Sequence, residues 1–132
     1  MKDYQYQVLR FRPEPVSDEL HNLGIIVFEP STQEMRSQFV SLSVLTSLLK
    51  DVELTDITMV VQLLEKEFKQ IEERTHGGIR FTPYKSLSEI TLQLIPIDNG
   101  PLFFNGTKTV TAENIQEAIK KVASKYLVNR IL

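Results

Sequence analysis

The chain predicts an α+β fold, a mainly antiparallel sheet with about three helices packed on one face. Three observations lead there. Two strand-like stretches, residues 4–12 and 25–28, stand close together near the start. Two later segments, residues 55–76 and 111–127, repeat apolar residues at helical spacing. The order is strands, helices, strands and a last helix, without the regular strand–helix alternation of a parallel sheet. At 132 residues the whole chain, residues 1–132, reads as one domain.

In residues 4–12, Tyr4, Tyr6, Val8 and Arg10 face one way, and Gln5, Gln7, Leu9 and Phe11 the other. Apolar groups on both faces predict cover on much of both sides. Pro13 and Pro15 end the strand, because neither can donate to a ladder and each disfavours the helical region in its predecessor. Gly24 opens Ile25, Ile26, Val27 and Phe28, a continuous apolar run of the kind found in central strands. Residues 29–32 read as a turn and 34–40 as the returning strand of a hairpin.

Residues 43–50 predict a short helix. Thr55 is placed to N-cap the longest one, with Asp56 in its first turn. Ile57, Val60, Val61, Leu64, Phe68 and Ile71 form its apolar stripe, and Glu65 with Lys69 is an i,i+4 pair. The charged run through Glu72 and Glu73 reads as a solvated face, and Gly77-Gly78 as a stop. Residues 79–83 predict an extended piece. In 89–97, Ile90, Leu92 and Leu94 alternate with polar neighbours and predict a strand. Residues 98–101 carry a turn signal, and Asn105-Gly106 after Phe103-Phe104 predicts a hairpin turn. Thr111 is the expected cap of the last helix, whose stripe is Ile115, Ala118, Ile119, Val122, Ala123, Tyr126 and Leu127.

Composition narrows the function. A net charge of −2 supplies no global basic field, so nucleic acid is not the expected partner. Arg10, Arg12, Arg36, Arg80 and Lys85, with Tyr4 or Tyr6 for stacking, read as scattered surface cations rather than a single-strand binding face. The absence of cysteine excludes disulfides and thiolate chemistry. No apolar run is long enough for a membrane span, and the opening MKDYQYQ has no apolar core for a signal peptide, so a cytoplasmic protein is expected. His21 and His76 are far apart, so no metal and no cofactor is expected. Residues 106–109, Gly-Thr-Lys-Thr, lack the first glycine of a phosphate loop.

The candidate site lies between the first two strands. Arg10, Glu19, Asn22 and Gly24 form a structural or binding motif, in which Glu19 pairs with Arg10 or Arg12 and Asn22 holds the bend before Gly24. An alternative gives catalysis to Glu19, His21 and Arg10 in a small hydrolase or nuclease, since a carboxylate beside an imidazole can move a proton near neutral pH. In an extended segment Glu19 and His21 share one face and Asn22 takes the other.

The same residues carry a resemblance. Tyr6-x-Val8-x-Arg10, Pro13-x-Pro15 and Glu19-x-x-Asn22-x-Gly24-Ile25-x-x-Phe28 resemble the opening motif of small bacterial proteins catalogued as domain of unknown function 3037. The likeness is strong over about the first 30 residues and looser beyond. His21 stands where the family more often has an apolar residue, which counts against a family-wide role for it. The resemblance implies a bacterial origin and no established activity. Because such proteins are often encoded near kinases similar to HipA, it implies an accessory or protein-interaction role, the partner being a neighbouring gene's product.

Overall fold

The structure is a computed structural model and describes residues 1–12, 20–44, 55–76, 84–95 and 102–127. Its elements are β1 (Lys2–Phe11), β2 (His21–Glu29), β3 (Glu34–Phe39), α1 (Thr55–His76), α2 (Leu87–Leu94), β4 (Leu102–Phe104), β5 (Lys108–Ala112) and α3 (Ile115–Tyr126). Residues 42–44 are also helical. The remainder of the expected 43–50 helix, the Gly77-Gly78 stop, the 79–83 extended piece and the 98–101 turn lie outside the described residues, as do the side chains of Thr55 and Asp56.

The α+β class and the antiparallel sheet hold. Among the described residues the sheet has five strands, ordered β3-β2-β1-β4, with β5 also on β1. Leu23, Ile25, Ile26, Val27 and Phe28 of β2 have no exposed surface, which fits a central strand. Each such side chain contributes about 1.5–3 kcal/mol of burial.

The placement of all helices on one face does not hold. In antiparallel ladders directly opposed residues share a face. Leu9, Gly24, Phe39 and Phe104 are opposed in series and therefore line one side. Phe68 of α1 stacks there against Phe39 and Phe104, at ring distances of 6.1 and 6.0 Å. On the same side α2 meets Gln5 and Gln7: the Leu87 amide donates to Gln5 Oε1 (2.8 Å), and Thr91 Oγ1 donates to Gln7 Oε1 (2.7 Å). The last helix, α3, covers the other side, where Tyr126 packs on Tyr6 at 5.9 Å. The reason is legible in β1 itself, which is apolar on both faces and needs cover on both.

Three local expectations change as well. Residues 87–94 form a helix, where alternation predicted a strand. Leu87, Ile90, Thr91 and Leu94 also fit helical spacing, and capping decides between the two periods. Ser86 accepts the Glu89 amide, while the Glu89 carboxylate takes the Lys85 amide (2.8 Å). Asn105-Gly106 is not a hairpin turn. Both β4 and β5 run antiparallel to β1, so they are two pieces of one strand interrupted by a bulge. Asn105 bridges the interruption: its amide donates to the Val8 carbonyl (3.0 Å) and its Oδ1 accepts the Val8 amide (2.7 Å). Lastly, Asn114 caps α3 by accepting the Glu117 amide (2.8 Å), while Thr111 lies in β5 and donates to Asp3.

Glu72 departs from its solvated reading. It is buried, and its two oxygens accept the Ser37 amide (2.9 Å) and hydroxyl (3.2 Å). It lies four residues after Phe68 and so shares the inward face of α1.

Candidate functional site

Arg10 and Asn22 are brought together by one inserted residue. From Gln5↔Phe28 to Leu9↔Gly24 the β1–β2 register is regular, and it then shifts to Arg10↔Asn22 and Phe11↔His21. Leu23 is the extra residue, fully buried, and its carbonyl accepts the Val40 amide (2.9 Å). Without the bulge Asn22 would stand opposite Phe11. With it, Asn22 joins Arg10 on the α3 side and donates to the Tyr126 carbonyl (3.2 Å). Gly24, next along, leaves room for the Phe39 ring; a Cβ there would lie 2.6 Å from Cδ1.

The same register sends His21 to the opposite face, beside Phe11. Arg10 and His21, two members of the alternative catalytic set, therefore leave the sheet in opposite directions. Glu19 lies outside the described residues. Among the described residues no three of His, Cys, Asp and Glu gather as a metal site would require.

What assembles around Arg10 is a cationic aromatic cluster at the C-terminal end of α3. The Arg10 guanidinium lies 6.0 Å from the centre of the Tyr126 ring, and Lys125 Nζ lies 5.3 Å from it. Lys108 stands opposite Tyr6 in the β1–β5 ladder, and its positive charge helps to lower the Tyr126 phenol. Arg12 sits 5.5 Å over Phe103 on the same side. Such cation–π contacts contribute about 0.5–1 kcal/mol each at exposed sites. Among the described residues no carboxylate lies within ion-pair distance of Arg10, Arg12, Lys108 or Lys125.

The two phenols are unlike. Their oxygens are 3.3 Å apart. Burial, with the bond to Tyr126, pushes Tyr6 up to about 12. Burial also pushes Tyr126 upward, but the Tyr6 bond and the charges of Lys108 and Lys125 outweigh it and leave this phenol below its ordinary value. Either phenol can donate in this contact, and the other then keeps its own proton for a further acceptor.

Sequence reasoning named Arg10 and Asn22 but missed Tyr126, Lys108 and Lys125 as their company. Tyr126 was legible only as one position of an apolar stripe, and a helical period does not say which strand residue it will cover. Tyr4 and Tyr6, weighed as stacking platforms, are buried.

A family model described as "Protein of unknown function (DUF3037)" matches residues 6–127, nearly the whole chain. The chain belongs to this family. The match spans the bulged β1–β2 pair, the broken strand and α3, so the resemblance of the opening motif extends through the later elements. No curated protein matches the chain, and no solved structure does. Among the described residues no helix is long and apolar enough to cross a membrane.

Proposed function

We propose that this DUF3037 chain is an accessory domain that acts by binding another protein, with a neighbouring gene's HipA-like kinase as the first partner to test. The observation that supports this reading is an apolar ridge on α1. Met59 and Val60 are 54% and 38% exposed, and Leu63, one turn further along from both, is 58% exposed. Large apolar side chains grouped on one exposed face mark interaction surfaces more often than isolated ones do. Lys66 and Glu67 follow the ridge with one charge of each sign. That border suits the mixed polar rim of a protein interface, whereas an anionic lipid surface favours flanking cations.

The polar side chains inside the fold support the same reading, because they join elements together. Gln7 links α2 to Asn105, Glu72 holds β3, and Gln33 exchanges hydrogen bonds with the Tyr84 backbone. The test is co-purification of tagged full-length chain with the neighbouring kinase-like product, comparing parent with Leu63→Asp. Leu63 is exposed, so the variant is expected to melt like the parent and to recover the partner at least about tenfold less well, as loss of a hot-spot side chain would. Equal recovery by the variant would remove the ridge from the interface. If the kinase binds neither form, the named partner is wrong.

A further inference from the structure

We propose that the cluster of Arg10, Lys108, Lys125 and Tyr126 is a binding site for a single phosphate group carried by a small molecule. This site is on the α3 side of the sheet, whereas the α1 ridge belongs to the opposite layer, so the two proposals stand separately.

Three cations surround one tyrosine, and no described carboxylate neutralises them. One of them has an ordinary structural explanation. Lys125 lies in the last turn of α3, where the carbonyl end of the helix carries a partial negative charge of about half an electron. That partial charge does not balance Arg10 and Lys108 as well. The Tyr126 carbonyl at this end is already taken by Asn22.

Arg10 carries the second argument. Its Nε is buried and has no hydrogen-bond partner among the described residues. A buried donor without an acceptor is unfavourable, and a charged one more so. An arginine fork matches the oxygens of a phosphate, whereas lysine acts as a point charge beside it. The Tyr6–Tyr126 pair adds a neutral donor, since two hydroxyls that share one hydrogen bond leave one proton to give. A carboxylate carries one charge against three cations; a phosphate monoester carries close to two and offers three acceptor oxygens.

The rings argue against nucleic acid as the source. Tyr126 lies against Arg10 and Lys125, and Phe103 against Arg12, so neither ring is a bare platform for base stacking.

Isothermal titration of the full chain with inorganic phosphate, at low ionic strength and neutral pH, tests the proposal, with acetate and a thymidine oligonucleotide as comparators. Saturable phosphate binding is expected, weakened about tenfold or more in Arg10→Met and in Lys108→Met and unchanged in Lys85→Met. Lys125→Met, at an exposed position, replaces Arg10→Met if that variant fails to fold. The tyrosine absorbance titration gives a readout that a purely structural cluster would not move. Bound phosphate should shift the Tyr126 ionisation to higher pH, because a nearby anion disfavours the phenolate. Absence of saturation, or equal binding by all variants, would overturn the site. Tighter binding of the oligonucleotide than of phosphate, with a steep salt dependence, would overturn the single-phosphate assignment.

Discussion

Gly24 shows how tightly one residue can be specified by a neighbour rather than by its own backbone. The atom it lacks would meet Phe39 Cδ1 at 2.6 Å and Cε1 at 2.8 Å, and the Phe39 ring is already stacked on Phe68. Gly24→Ala is expected to destabilise the fold by about 1–3 kcal/mol, the usual cost of overpacking. In a Phe39→Ala background the same change should cost less than half as much, a coupling that urea unfolding of the four proteins would measure. Glu29 offers a second test at this scale. Burial pushes its pKa up, but the Ser31 and Thr32 hydroxyls, which donate at 2.7 and 2.8 Å, and Lys2 outweigh burial and leave it below 4.5. A carboxyl lowered on folding contributes stability that is complete above its unfolded value and lost as pH falls through its folded value. Urea midpoints should therefore fall with pH below 4.5 less steeply in Glu29→Gln than in the parent. Identical slopes would mean that Glu29 contributes nothing to acid sensitivity.

At the scale of elements, β3 is an edge strand fastened by a helix side chain. Glu72 reaches from α1 to the Ser37 amide, a donor that would otherwise be offered to any passing strand. Glu72→Ala leaves that amide and the Ser37 hydroxyl without their acceptor, at an expected cost of about 1–3 kcal/mol. It should also increase thioflavin-positive aggregation under mild denaturant; a variant that unfolds at the parent's midpoint and stays clear would show that the edge is protected by other means. Elements also show where sequence patterns stop being informative. β1, β2, β3, α1 and α3 were legible because their apolar runs were long or their neighbours plainly turn-forming. Residues 87–94 were not, since eight residues satisfy both an alternating and a helical template, and Ser86 with Glu89 decides by hydrogen bonding. Asn105-Gly106 misled for a related reason. The pair favours a hairpin when the flanking strands pair with each other, but here both flanks pair with β1.

For the whole molecule, the separation of helices onto two faces follows from a central strand that is apolar on both. That inference was available from residues 4–12, although the class-level pattern pointed to one covered face. The candidate site was half legible. Arg10 and Asn22 stand out as polar residues in an apolar setting, but their meeting depends on the Leu23 bulge, and Tyr126 arrives from more than a hundred positions away. Long-range pairing of this kind has a consequence during synthesis. One edge of β1 is satisfied by β2, about ten residues downstream; the other waits for β4 and β5, about 90 residues later. At translation rates of about 5–20 residues per second, that edge stays open on the ribosome for roughly 5–20 s. Through that interval the strand carrying Tyr4, Tyr6, Val8 and Leu9 is a nascent surface that chaperones, or another copy emerging from the same message, can reach before the chain's own last segment does.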